Sequence, residues 1–290
     1  MWSPTTTTSG TAYRLRRQGT NAFLNALTLC VIVVLLFPFV WMVLTSFKNP
    51  VDFLSSPPTI LPHRWTLTNY AQVLSQPKIG QYFLNSLVVS TCSTILAVLL
   101  GSAAAYSLSR IRFPIRLNAI LVTWILLTRM YPAISTALPY FFLIKTLGLY
   151  DTQVALVLTY TSFNLPFVVW LMLGFFDSIP REVEAAAVVD GCSFLQRFVK
   201  IALPLSGPGL VATTLFSMIL AWNEFLFAVI LTSFNAETIP VVMAGFITDK
   251  SLEWGQMSAL GTMFVTPVIL VAWGTQRYLI RGLTLGAIKE

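Results

Sequence analysis

Ile179-Pro180-Arg181-Glu182-Val183-Glu184-Ala185-Ala186-Ala187-Val188-Val189-Asp190-Gly191 runs on through Cys192-Ser193-Phe194-Leu195-Gln196-Arg197-Phe198-Val199-Lys200 to Ile201-Ala202-Leu203-Pro204. The stretch is a polar interruption between two apolar runs, yet its composition is that of helices rather than of a plain loop. Pro180 suits the first turn of a helix, and Arg181 to Val189 are mostly good helix formers. Asp190-Gly191 is a turn signal that ends this first short helix. Phe194, Leu195, Phe198 and Val199 then recur at helical spacing and predict a second, amphipathic helix lying against a membrane surface. Two readings fit these residues. One is an ordinary amphipathic surface loop; the other is a rigid, partly apolar knob on which a peripheral partner can push.

The surroundings of the stretch set the class. The chain has 290 residues, 56% of them hydrophobic and 10% charged, against about 25% charged in soluble domains. Six apolar runs can be drawn, at 23–46, 83–107, 117–137, 153–176, 208–232 and 258–280, each near the ~20 residues that cross a bilayer. The expected fold is therefore an all-α polytopic membrane protein with six transmembrane helices. The first run is too long for a signal-peptide core and reads as an uncleaved span. Residues 1–22 form a flexible tail in this reading, 23–82 the first span with an outer loop, 83–281 the core including the 177–207 loop, and 282–290 a C-terminal tail. One His and three Cys argue against a metal or iron–sulfur centre. Cys30 and Cys92 read as packing residues, Cys192 has no assigned role, and His63 reads as a surface residue.

Positive charge orients the spans. The segments 1–22, 108–116, 177–207 and 277–290 carry twelve Lys and Arg, and the opposite segments 47–82, 138–152 and 233–257 carry five. Five acids lie on each side, so the net charge of +7 resides on one face and is a topology signal rather than a nucleic-acid footprint. Both termini and the 177–207 loop are expected in the cytoplasm.

The 179–204 stretch resembles the EAA loop of permease subunits of ATP-binding-cassette (ABC) importers. That family's pattern is Gly, nine residues, then Ile-x-Leu-Pro, matched here by Gly191, Ile201, Leu203 and Pro204. One position departs: the family's Glu falls six residues before the glycine, where this chain has Ala185, and Glu184 lies one place earlier, about 100° round a helix. Either Glu184 reaches the partner from another angle or that ion pair is absent. Further matches are Thr128-Arg129-Met130-Tyr131-Pro132, Leu147-Gly148-Leu149-Tyr150-Asp151-Thr152, Ala221-Trp222-Asn223-Glu224-Phe225 and Gly282-Leu283-Thr284-Leu285-Gly286-Ala287-Ile288-Lys289. They are similar to the smaller permease of maltose-type carbohydrate importers.

The resemblance implies a type I ABC importer transmembrane domain in a bacterial or archaeal cytoplasmic (inner) membrane, translocating a sugar or oligosaccharide. The implied partners are a second permease subunit, two ABC ATPase subunits and a periplasmic or lipid-anchored solute-binding protein. ATPase coupling would fall to Glu182, Glu184, Ala185, Ala186, Asp190, Gly191, Phe194 and Pro204. The chain contains no G-x-x-x-x-G-K-[ST], so ATP and Mg are expected in the partner ATPase, with no cofactor and no enzymatic activity in this chain.

Arg129 and Glu224 stand within apolar runs, where a charge costs on the order of 2.5–3.5 kcal/mol and must face protein or water. Straight helices at ~1.5 Å per residue place them roughly 18 and 22 Å into the bilayer. Two readings follow: a structural ion pair, completed by Asn223, or a lining for the translocation pathway together with Tyr131. An ion-coupled secondary transporter or channel using this pair is the alternative function. Trp222, Phe225, Phe227, Tyr131 and Tyr140 suit either packing or stacking on sugar rings. Residues 47–82 read as irregular. The loop from Asn235 to Gln256 is expected, by the resemblance, to touch the solute-binding protein through Gly245, Asp249 and Trp254.

Overall fold

Long apolar segments without water must satisfy their backbone internally, and this chain does so with helices. The computed structural model describes residues 8–284 except 54, 56–58, 112–113, 115–116 and 247–252, and describes side chains outside 8–20, 22 and 277–284. The helices are α1 (Thr8–Ser46), α2 (Pro50–Phe53), α3 (Thr68–Leu74), α4 (Ile79–Arg110), α5 (Leu117–Met130), α6 (Ala133–Thr146) and α7 (Gln153–Asp177). They continue as α8 (Arg181–Val189), α9 (Phe194–Arg197), α10 (Leu203–Leu205), α11 (Gly207–Trp222), α12 (Leu226–Leu231), α13 (Ile239–Ala244) and α14 (Trp254–Thr284). The described residues contain no strand.

Four segments are long and apolar enough to cross a membrane unaided: Phe23–Ser46, Ile79–Arg110, Gln153–Asp177 and Trp254–Gln276. The third and fifth apolar runs are not straight spans. The third breaks at Tyr131-Pro132, where α5 and α6 meet at 94°. The fifth breaks at Asn223–Phe225, between α11 and α12. Proline disfavours helix in the residue before it, which accounts for the first break. Counting α5 with α6 as one bent span, and the 194–205 segment with α11 as another, brings the total to six.

The chain divides into two units, 1–72 with 253–262, and 73–252 with 263–290. In the first, the segment after α1 is ordered by polar contacts rather than irregular throughout. Asn69 donates to the Ser46 and Lys48 carbonyls, both at 2.9 Å, and Ser46 Oγ pairs with Tyr70 Oη at 2.8 Å. His63, read from the sequence as a bland surface residue, is hydrogen-bonded through Nδ1 to Asp52 at 2.5 Å.

In the second unit, α4 and α7 pack along their lengths with α11 against both. Ala97, Val168, Val169, Met172 and Phe176 fill the seam near one end of the α4–α7 pair, and Val89, Leu156, Phe227 and Leu231 pack toward the other. That second end is fastened by Asp151, which has φ 59°. Its carboxylate accepts N–H bonds from Ser233, Phe234, Asn235 and Ala236 at 3.0–3.3 Å. Asn85 donates nearby to the carbonyls of Asn235 and Glu237, both at 2.9 Å.

Burial works against charge on Asp151, but the backbone N–H groups of 233–236 outweigh it and hold the carboxyl below the ordinary value of 3.8. A depressed carboxyl stabilises the fold fully above its unfolded pKa, and that contribution is lost as pH falls through the folded value. Asp151→Asn is therefore expected to cost about 2 kcal/mol at neutral pH. The difference in melting temperature between variant and parent should shrink as the pH drops below 3.8. An equal difference at pH 7 and pH 3 would contradict this account.

Candidate functional site

At the Asp177 end of α7 the chain turns into the α8–α9 hairpin, and each joint is set by local chemistry. Glu182 and Glu184 occupy the first turn of α8, where negative charge complements the helix dipole. The far end closes in a Schellman motif: Cys192 N–H reaches the Ala187 carbonyl at 2.9 Å and Gly191 N–H the Val188 carbonyl at 3.0 Å. Gly191 sits at φ +82°, the left-handed region that glycine enters without cost. Ser193 and Gln196 then form a capping box that starts α9. A π-helical turn over Phe198–Ala202 leads through α10 into α11, which lies at 81° to the 194–205 segment.

Glu184 fastens this hairpin to the membrane helices. It is 3% exposed, accepts from Tyr106 Oη at 2.7 Å and from Arg110 Nε at 2.7 Å, and has Arg197 at 4.0 Å. Arg110 also donates to Ser109 Oγ at 2.8 Å and to the carbonyls of Phe176 and Ile179 at 2.8 and 3.2 Å. Ser109 in turn donates to Asp177. The Tyr106 ring lies 5.0–5.5 Å from those of Phe176, Phe194 and Phe198. One carboxylate thus ties α8 to α4, through Arg110 to the end of α7, and lies beside Arg197 at the end of α9.

Of the two readings of Glu184, the geometry favours the one without a partner ion pair. Glu184 faces inward, on the same side of α8 as buried Ala187, and its charge is consumed within the chain. The outward positions are Glu182, Ala185, Ala186, Asp190 and Gly191, with Phe194 and Pro204 also exposed. Ala185, Val188, Phe194, Arg181 and Arg197 line a recess of about 510 Å³ beside α8. Val189, at the tip, is 89% exposed. The hairpin presents a small-residue and apolar surface held on a rigid polar root.

Of the two readings of Arg129 and Glu224, the ion pair is not found among the described residues. Glu224 lies in the break between α11 and α12, and its two carboxylate oxygens accept the N–H groups of Phe227 and Ala228 at 2.9 and 3.2 Å. The free N–H groups at the start of α12 take up its charge. Asn223 bonds back to the Ile219 carbonyl at 2.9 Å and completes no pair. Arg129 sits at the α5–α6 bend, donating to the Phe163 carbonyl at 3.1 Å. It lines a pocket of about 300 Å³ with Tyr131, Thr136, Tyr140 and Ser162. The structure brings Arg129 and Tyr131 together and leaves Asn223 and Glu224 to the helix break.

Sequence reasoning missed Arg110, Tyr106 and Asp151. Tyr106 and Arg110 are i and i+4 on α4, a spacing that puts a hydroxyl and a guanidinium on one face. Gly245 ends α13 and is exposed, and Trp254 is exposed at the start of α14. Asp249 lies outside the described residues.

Residues 97–285 match the family described as binding-protein-dependent transport system inner membrane component. The chain is 38% identical to a probable ABC transporter permease of Sinorhizobium fredii, over 93% of this chain and 96% of that protein. It is 36% identical to the trehalose/maltose transport system permease of Thermococcus litoralis, over 89% of this chain and 92% of that one. In fold it resembles, at TM-score 0.74 and 23% identity, a chain from the crystal structure of a bacterial ABC transporter involved in the import of the acidic polysaccharide alginate. That match covers 96% of this chain and all of the other. The chain belongs to the binding-protein-dependent transport system inner membrane components, the permease subunits of ABC importers.

Proposed function

We propose that the chain is one of two permease subunits of a carbohydrate importer in a bacterial or archaeal cytoplasmic membrane. It crosses that membrane six times with both termini inside, and the α8–α9 hairpin is where an ATPase subunit pushes. The observation that carries the coupling role is the rooted hairpin: exposed Ala185, Ala186 and Val189 on a helix whose Glu184 is locked to Arg110 at 2.7 Å. A nine-residue helix is too short to be stable alone. Fixed to α4 and α7, it passes displacement from its tip into two long helices. The charge bias of twelve against five supports the cytoplasmic placement of the hairpin. The relative named for trehalose and maltose transport supports a sugar substrate. The family description supports delivery by a binding protein. An ion-coupled carrier built on Arg129 and Glu224 has no such pair to work with.

The tagged chain, purified from cells expressing its operon partners, is expected to bring down an ATPase and a second permease. Ala185→Arg, on the exposed face of α8, should lower ATPase recovery at least tenfold and leave the second permease in place. Undiminished ATPase recovery with that variant would remove the hairpin from the interface.

A further inference from the structure

Within the second unit, the α5–α6 bend gathers polar groups whose chemistry is one-sided. Arg129 has five N–H donors, and among the described residues its one hydrogen bond goes to the Phe163 carbonyl. No carboxylate among the described residues lies within 4 Å of it. Glu224, the acid nearest in depth by sequence, is occupied by backbone N–H groups. The guanidinium is positioned by the Phe167 ring, 5.5 Å from its centroid. In the same lining Tyr140 Oη and Ser162 Oγ pair at 2.6 Å, with Thr128, Thr136 and Tyr131 beside them.

A cation inside a span costs on the order of 2.5–3.5 kcal/mol. Arg110, whose side chain is buried, is neutralised within this chain by Glu184. Arg129, exposed and without an acid partner among the described residues, lines a pocket of about 300 Å³, a volume at the lower end of small-molecule sites. A guanidinium fork is shaped for the two oxygens of an oxyanion. Neighbouring hydroxyls and aromatic faces suit a sugar ring.

We infer that the pocket at the α5–α6 bend binds a negatively charged saccharide, with Arg129 holding its carboxylate or phosphate and Tyr131, Tyr140 and Ser162 facing the ring. This rests on the carbohydrate-importer reading and names its substrate class. Arg129 is the specificity-determining group; neutral sugars offer it only uncharged hydroxyl acceptors, which bond a guanidinium more weakly than a carboxylate or phosphate does.

The test uses the complete purified transporter, without binding protein, and three probes: galacturonate, glucose 6-phosphate and glucose. Calorimetry or thermal stabilisation should show at least one anionic probe binding tenfold or more tightly than glucose. The carboxylate and phosphate arms tell which oxyanion fits. Arg129→Gln should abolish that preference, and Arg129→Lys should retain part of it. Equal binding of all three probes, no binding of any, or an unchanged preference in Arg129→Gln would overturn the inference. So would loss of the second permease from the Arg129→Gln complex, which would make Arg129 a partner-subunit contact. ATP-driven uptake of a neutral sugar by the intact complex would sink this inference and leave the importer reading standing. Absence of any ATPase from the complex would sink the importer reading itself.

Discussion

Glu184→Ala is expected to reduce ATP-driven uptake at least tenfold in proteoliposomes holding the assembled transporter. The variant leaves the Arg110 side chain, 7% exposed, without its carboxylate and the Tyr106 hydroxyl without an acceptor. Removing one partner of a buried ion pair costs about 3–5 kcal/mol, and here the cost falls on a nine-residue helix with little stability of its own. The hairpin should loosen locally while the α4–α7 seam holds. Hydrogen exchange is expected to rise across 181–197 and stay unchanged in the middle of α7. Glu184→Gln retains an acceptor for Tyr106 and should give an intermediate loss. Joint replacement, Glu184→Leu with Arg110→Met, removes both buried charges and should recover part of the coupling. Recovery will be incomplete, because Arg110 also satisfies the carbonyls of Phe176 and Ile179. Uptake within twofold of the parent in Glu184→Ala would show that the root is not needed for coupling.

The hairpin was legible in the sequence because its signals are local: Pro180 before α8, Asp190-Gly191 after it, and apolar spacing from Phe194 onward. The inward turn of Glu184 was less so. Comparison with a motif counts positions along a chain, whereas burial depends on angle. One residue is 100°, enough to turn an outward acid into an internal anchor. In the structure Glu184 shares its helix face with Ala187, three residues on and likewise buried. The breaks at Tyr131-Pro132 and Asn223–Phe225 were hidden for another reason. Hydropathy sums side chains and does not register backbone direction, so a broken run scores like a straight span. Depths reckoned from straight helices then put Arg129 and Glu224 side by side, although a 94° turn follows Arg129. Asp151 was the least legible, because its four N–H partners come from 233–236, more than eighty residues away.

Gly101→Val is expected to lower the melting temperature of the detergent-solubilised transporter by about 5 °C or more, as a cost of roughly 2–3 kcal/mol would do. Ala97, Gly101 and Ala105 stand four residues apart on α4 and are all buried against α7, the small-residue spacing that lets helix backbones approach in membranes. A Cβ at Gly101 would lie 2.6 Å from Val168 Cγ1 and 2.9 Å from Val168 Cβ. Those contacts cannot be relieved by rotating one methyl away, since the second involves the branch point itself. Gly101→Ala should therefore already destabilise, and Val168→Ala should rescue it in part, removing the Cγ1 contact and leaving the Cβ contact. Full tolerance of Gly101→Val, or rescue no better in the double variant than in the single one, would contradict the close-approach account. The effect should reach the hairpin as well. Arg110 ends α4 nine residues beyond Gly101, and Asp177 ends α7 nine residues beyond Val168. Prising the helices apart at 101 and 168 would widen the gap that the Ser109–Asp177 and Arg110–Phe176 bonds must span. Uptake should consequently fall more steeply than stability, and Val168→Ala should restore part of both together.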